Sequence, residues 1–268
     1  LNGRTILLHA EQGLGDTIQF GRYAPLVAER GGRVVISCPE ELRQLLESLP
    51  GVARVTAEIE PGNFDCHCPL MSLPAVFGTR VETIPAPARY LQAPAPLTDS
   101  WRNRIGYEVG MRVGLAWAGN PKHKRDRRRS ISLAQLAPLS TAKGVRFYSL
   151  QKGDAAGQAA TPPDGMRLID FSAELRNLAD AAGAVENLDL VISVDTATAH
   201  LSAALGKPTW VLVPFVPDWR WMLHRADSPW YPTMRLFRQR VPGDWNGLIG
   251  QITQALCELV DGSAGAKK

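Results

Sequence analysis

The stretch His9–Tyr23, HAEQGLGDTIQFGRY, sets two glycines and an aspartate between an apolar run and a helix-like segment. A dinucleotide cradle needs G-x-G-x-x-G; Gly13 and Gly15 supply the first two glycines, but Ile18 stands at the third. A Walker loop needs G-K-[ST], and the GKP of Gly206–Pro208 does not match. What remains is a tight strand-to-helix turn with Asp16 at its exit, at a natural N-cap position. Capping accounts for an aspartate there. So does catalysis, with the carboxylate at a cleft floor taking a proton from an acceptor hydroxyl. A helix start favours an ionised carboxylate, which is a weak resting base. Such a base suffices when the acceptor oxygen releases its proton only as its bond to a sugar carbon forms.

A second cluster is SVDTATAHLSAALGKP, Ser193–Pro208. An apolar strand ends at Asp195 and a helix begins at Thr196 or Ala197. Free backbone N–H groups, the helix dipole and the hydroxyls of Thr196 and Thr198 make an anion site that fits a pyrophosphate. His200 follows Thr196 by four residues and faces the same ligand. The structural alternative makes Asp195 and Thr196 caps and His200 a core histidine. A third cluster is the loop AGNPKHKRDRRRSISL, Ala118–Leu133. Guanidinium groups bind phosphate through two parallel hydrogen bonds. Arg128 and Arg129 with Ser130, nearest the next helix, are the candidates; Lys122 to Arg125 read as solvent-facing charge.

Four of the seven tryptophans fall between Trp210 and Trp230, so aromatic faces concentrate in one segment. Trp210 reads as core. Trp219, Trp221 and Trp230 are candidates to border a sugar or acceptor, with Asp218, Arg220 and Asp227 on a polar rim. Gln19 and His67 join that candidate pocket. Cys66 and Cys68 flank His67 in DCHCPL. Without a second Cys/His pair at zinc spacing they read as a strand with alternating faces. No D-x-D motif occurs and no metal-ligand cluster is expected, so a leaving diphosphate would be met by the helix start and by Arg, Lys or His.

The elements that must position these groups form a rhythm. Thr5–Ala10 and Arg33–Cys38 read as buried strands, Asp16–Arg30 as a helix stopped by Gly31 and Gly32, and the segment from Pro39 as another helix. Short strands surround Val55 and Cys66. Ile84–Pro96 is rich in proline and alanine and reads as a linker. Strands follow at Arg112–Ala118, Val145–Gln151, Met166–Phe171, Leu188–Val194, Thr209–Val213 and Met234–Gln239, with helices at Ala173–Ala184 and Asn246–Val260. Strand–helix alternation means parallel strands with crossover helices. The expected architecture is α/β: a Rossmann-like half over 1–96, a second over 97–260, and a disordered tail over 261–268. Ligands of such sheets bind beyond the strands' carboxyl ends, so the cleft between the halves is the expected site.

Composition narrows the function classes. The 268 residues are 45% hydrophobic and 21% charged, ordinary for a globular chain, with no run of membrane-spanning length. There is no signal peptide, and four scattered cysteines make no disulfide framework, so a cytoplasmic location is expected. The chain opens on Leu1 and reads as part of a longer protein. The formal net charge of +4 is local: Lys122–Arg129 holds six basic residues and one acid, and the rest carries 24 basic against 25 acidic. One basic loop favours a single anionic ligand over a nucleic-acid face.

The motifs HAEQGLGDTIQFGRYAP, GLAWAGNPKHKRDRRRSI, SLQKG, VISVDTATAHLSAALGKPTWVLVP and PDWRWMLHRADSPWYPTMRLFRQ resemble the glycosyltransferase domain that follows tetratricopeptide repeats in many bacterial proteins. That domain is similar to the lipopolysaccharide heptosyltransferases and, more distantly, to the C-terminal region of protein O-GlcNAc transferases. The resemblance covers Leu1 to about Val260. It implies a GT-B architecture and metal-independent, inverting transfer from a nucleotide-diphosphate-sugar, with no cofactor. It implies Asp16 as base, and Asp195, Thr196 and His200 at the donor, with Arg128 or Arg129 replacing a family lysine; Gly15, Asn120 and Gln151 join them as donor-site candidates. The implied partners are a nucleotide-sugar, a glycan, lipid-linked or protein acceptor, and fused helical repeats. Two alternatives stay open. One is a nucleotide-sugar epimerase or isomerase using His67, His200 or Asp227 as second acid/base; the other is a non-catalytic nucleotide-sugar binding module.

Overall fold

The computed structural model describes residues 1–59, 62–106 and 109–265. Its first strand, β1 (Thr5–His9), carries buried Ile6, Leu7 and Leu8 and lies inside a sheet. The chain continues through α1 (Leu14–Gly21), α2 (Ala24–Glu29), β2 (Arg33–Ser37), α3 (Glu40–Leu46), β3 (Val52–Thr56), β4 (Cys66–Pro69) and α4 (Leu73–Val76). These strands form a parallel four-stranded sheet in the order β3-β2-β1-β4.

The second sheet is built from β5 (Met111–Ala116), β6 (Val145–Ser149), β7 (Leu168–Asp170), β8 (Leu190–Val194), β9 (Thr209–Val213) and β10 (Met234–Arg238). It is parallel and six-stranded, in the order β10-β9-β8-β5-β6-β7. Its helices are α5 (Ala95–Ile105), the short α6 (Asp126–Arg129), α7 (Leu178–Glu186), α8 (Ala197–Ala204) and α9 (Trp245–Gly265). The strands are apolar on both faces, as a doubly covered sheet requires. In β8, Leu190, Ile192 and Val194 join a cluster with Leu248, Ile252 and Leu256 of α9. Val191 points the other way, into a cluster that holds Val185 and Leu201 together with Ile6, Leu8, Ile18 and Phe20 beside the first sheet. One hydrophobic core therefore runs from the first sheet into the front layer of the second.

Several elements depart from expectation. The helix expected over Asp16–Arg30 is two helices, because Pro25 has no N–H to continue the ladder and opens α2 instead. It also starts earlier, with Gly13 as N-cap, so Asp16 is the third helical residue and not the cap. The helix expected over Ala173–Ala184 begins at Leu178, where the Asn177 side chain accepts from Asp180 N at 2.9 Å. Pro94 ends the linker sooner than expected, and α5 follows. The linker is also docked: Tyr90 N and Leu91 N both donate to Ala204 O, at 3.0 and 3.1 Å. In the expected tail, α9 continues to Gly265, and the last three positions lie outside the described residues. Cys66 and Cys68 pack toward the core while His67 is exposed on the opposite face, as the strand alternation demands.

Helices α5 and α7 meet at Gly183. A Cβ there would lie 2.8 Å from Trp101 Cδ1 and 3.0 Å from the Leu97 carbonyl carbon, so backbone would have to move. Gly183→Ala should lower unfolding free energy by about 1–3 kcal/mol. Gly250→Ala, on an exposed stretch of α9 with open space around it, should raise it by about 0.5–1 kcal/mol. Urea midpoints of the two variants measure both.

Candidate active site

A cleft of about 790 Å³ opens beyond the carboxyl ends of β5, β6, β8 and β9 and is closed on its far side by the start of α1. Gly15, Asp16, Asn120, Arg128, Arg129, Gln151, Asp195, Thr196 and His200 all line it. Residues 180 positions apart in the chain thus share one hollow.

On the first-sheet side, Asp16 Oδ2 accepts from Gly13 N at 2.9 Å, which substitutes for a side-chain cap. Its Oδ1 accepts from the Arg220 guanidinium. Arg220 also donates to Asp218 Oδ1 at 2.8 Å and to Gln19 Oε1 at 2.9 Å, and stacks 4.4 Å from the Trp219 ring centre. The carboxylate is therefore held at both oxygens, with its cation supplied from the second sheet's loops.

On the second-sheet side, Thr196 is the N-cap of α8, and no side chain caps that helix start. The Thr196 hydroxyl pairs with Ser193 Oγ at 3.0 Å, which leaves the first N–H groups of α8 directed at the cleft. Arg129 reaches over them: Nη1 donates to Asp195 O at 2.8 Å and Nε to Asp126 Oδ1 at 3.2 Å. Its guanidinium lies close over Gly119, where an added Cβ would come within 2.6 Å of Nη2 and 2.5 Å of Asp126 Oδ1, so a side chain there would displace the Arg129–Asp126 pair. Burial pushes the Asp195 carboxyl above the usual carboxylate range, against the pull of Trp221 and Arg129.

His200 is buried and drops to about 3, chiefly through burial and then through the nearby charges of Arg220, Arg22 and Arg129. Its imidazole is therefore neutral near neutral pH, and it lines the cleft as a neutral ring. Helix α1 packs directly on it: a Cβ on Gly15 would sit 2.8 Å from His200 Cδ2.

Other candidates have structural employment. Gln151 accepts from Trp117 N and Ala118 N, at 2.9 and 2.8 Å, and donates to Ala118 O and Lys152 O, so its amide is fully used in stapling two loops. Ser130 lies behind the cleft, its Oγ accepting from Gly119 N at 2.9 Å. Asn120 Oδ1 closes a turn onto Lys122 N at 3.0 Å. Arg128 is exposed at the mouth.

The expected sugar pocket is not assembled. Gln19 is buried beneath Arg220. Trp221 is buried against His200, ring centres 5.3 Å apart. Trp230 is 4% exposed and Trp219 54%, and both pack around Phe20 outside the cleft lining. Asp227 pairs with Arg225 on the surface, and His67 lies tilted beside His9, ring centres 5.5 Å apart. Arg220, read from the sequence only as a rim residue, is the cleft's most connected cation. Its signal was an arginine between two tryptophans. Arg22 gave no signal, since a lone arginine after a helix looks solvated. Among the described residues, no group of three or more His, Cys, Asp or Glu side chains converges to hold a metal.

No family model matches the chain. A curated relative, Protein FlbA of Caulobacter vibrioides, is 27% identical over 284 residues, covering 96% of this chain and 47% of FlbA. The chain spans about half the length of that relative. Among solved structures, E. coli ADP-heptose lps heptosyltransferase II superposes with a TM-score of 0.66 at 13% identity, covering 97% of this chain and 99% of its own. A glycosyl transferase family 9 protein from Veillonella parvula DSM 2008 gives 0.66 at 12% identity, covering 97% and 98%. The iron-containing dodecameric glycosyltransferase TibC from enterotoxigenic E. coli H10407 gives 0.61 at 14%, covering 100% and 77%. What these structures share with the chain is the fold.

The buried His200 makes stability pH-dependent. Unfolded chains protonate this imidazole below its ordinary 6.5, the folded protein only near 3, so stability is full above that window and falls as pH drops through it. The slope from this group is about 1.4 kcal/mol per pH unit. His200→Gln should flatten that part of the profile, read as urea midpoints between about pH 6.5 and about pH 4.

Proposed function

We propose that the chain is a glycosyltransferase of GT-B architecture that moves a sugar, with inversion and without a metal, from a nucleotide-diphosphate-sugar to an acceptor hydroxyl. One observation carries this reading: the Asp16 carboxylate and the uncapped start of α8 with Arg129 open onto the same cleft. An inverting displacement needs one base and one anion hold, facing each other across the reacting carbon. The acceptor oxygen bonds to the anomeric carbon as the carbon–diphosphate bond breaks, and Asp16 takes the hydroxyl proton. The departing diphosphate gains charge opposite the α8 N–H groups, the Thr198 hydroxyl and Arg129, with Arg128 at the mouth. Asp195 lies on the donor wall of the same cleft.

The first sheet with its helices is the acceptor side in this reading, and the second the donor side. The likeness to an ADP-heptose heptosyltransferase puts ADP-linked sugars first among donors to try. The motif resemblance and the half-length match to FlbA favour a longer protein in which helical repeats accompany this domain. An epimerase or isomerase requires a second acid/base at the sugar. His200 stays neutral down to about 3, while His67 and Asp227 lie outside the cleft lining, so the geometry speaks against it.

Asp16→Asn should abolish transfer, at least about 100-fold, while changing donor affinity less than about twofold. Arg129→Ala should weaken nucleoside-diphosphate binding by about 10- to 100-fold, the worth of a charge-assisted hydrogen bond. Calorimetry across adenosine, uridine and guanosine diphosphates, with turnover of the matching sugars, measures both. Unchanged binding in Arg129→Ala would remove the diphosphate from this loop, and full turnover in Asp16→Asn would remove the base.

A further inference from the structure

His200 is held by a group that never reaches the cleft. Its Nδ1 lies 2.8 Å from the Tyr231 hydroxyl, and its ring is stacked 5.3 Å from Trp221 and tilted against Tyr231, 5.6 Å between ring centres. Tyr231 is 1% exposed, and burial keeps its hydroxyl protonated far above the ordinary range. Behind it stands Arg22, 3% exposed, whose guanidinium carbon is 4.4 Å from the Tyr231 ring centre. Arg22 has no carboxylate partner among its hydrogen bonds. It donates to the carbonyls of Gln19 at 2.7 Å and Pro85 at 3.2 Å, to Trp230 O, and to the Tyr90 hydroxyl at 3.2 Å.

The protons can be followed through this cluster. Tyr90 spends its one proton on Ile18 O, at 3.0 Å, so its oxygen accepts from Arg22. The Arg22 cation lies over the face of the Tyr231 ring, and the Tyr231 hydroxyl pairs with His200 Nδ1, at 2.8 Å. A hydroxyl buried this deeply pairs its proton, and the acceptor within reach is His200 Nδ1. An imidazole that accepts at Nδ1 and is uncharged carries its single proton on Nε2. The Nε2 edge is the one beside Gly15, 3.5 Å from where a Cβ would stand, and His200 lines the cleft through it.

We propose that Tyr231, backed by Arg22, is a positioning residue that holds His200 as the Nε2–H tautomer and so makes it a hydrogen-bond donor aimed into the cleft. The imidazole then adds a fixed neutral donor to the N–H groups of α8 and the Arg129 guanidinium. That second half rests on the diphosphate reading above; the tautomer does not. The arrangement also explains an arginine buried without a carboxylate: a carboxylate at that place would draw the Tyr231 proton and leave Nδ1 unserved.

The test is side-chain ¹⁵N NMR on the full chain labelled at its five histidines. Near neutral pH His200 should show a protonated Nε2 and an unprotonated Nδ1, and added inorganic pyrophosphate should move the Nε2–H proton. In Tyr231→Phe the two nitrogens should drift toward averaged values, with no such drift in Tyr90→Phe, whose proton goes to Ile18. A protonated Nδ1 in the wild type overturns the assignment, and does so even if Tyr231→Phe does not fold. An undisturbed tautomer in folded Tyr231→Phe overturns it equally. Pyrophosphate that shifts the Arg129 side chain but leaves Nε2–H in place overturns the donor role. Pyrophosphate that binds nowhere in the cleft counts against the diphosphate reading instead, while the tautomer in the free protein still decides the role of Tyr231.

Discussion

Helix α1 lies so close on α8 that the backbone of Gly15 meets the His200 ring, and everything in the cleft follows from that contact. The approach brings the third residue of one helix and the first N–H groups of another to opposite walls of one hollow. It also buries polar groups that then require partners, because an unpaired donor or charge away from water costs several kcal/mol. Two arginines meet this requirement by crossing between the sheets. Arg220 leaves the second sheet's loops to hold Asp16 and Gln19. Arg22 leaves the turn after α1 to hold Trp230 O and the two buried tyrosines.

These crossings differ in kind. Arg220 is matched by carboxylates on two sides and stays in contact with the cleft. Arg22 is matched by carbonyl and hydroxyl oxygens, which satisfy its donors without cancelling its charge. Its field acts on what lies next to it, and His200 is driven neutral by burial and by three nearby guanidinium groups. The cleft is thus lined by a neutral ring, His200, beside guanidinium groups that include the braced Arg129 and Arg220 and the exposed Arg128. The shared core reinforces this arrangement. Apolar residues of the first sheet and of α7, α8 and β9 form one cluster, so separating the two sheets would expose apolar surface and strand Arg22 together.

The loops on the second-sheet side are braced from behind. Gln151 uses its whole amide on backbone, and Ser130 holds Gly119 N. Neither has much left for a ligand. Both keep the Trp117–Gly119 backbone in place, over which Arg129 rests. Two of the residues read from the sequence as donor contacts are thus used in shaping the cleft walls.

Much of the fold was legible because strands in a doubly covered parallel sheet are short apolar runs, and each long run in the sequence became a strand. Helix boundaries were less so. Glycine at position 13 caps through backbone alone, and Asp16 bonds back from the third helical position, so the residue that looks like a cap is not one. Proline and alanine after Ile84 hid α5, since the same residues suit linkers and helix starts. The strand ends and turns that carry Asp16, Asp195, Thr196 and Arg129 were determined by local spacing, which sequence displays. The fates of Trp219, Trp221, Trp230, Gln19 and Arg22 were decided only by tertiary structure. An aromatic or a charge reads the same in sequence whether buried or exposed, and its surroundings come from segments distant in the chain, as Phe20 beside Trp219 and Arg220 over Gln19 show.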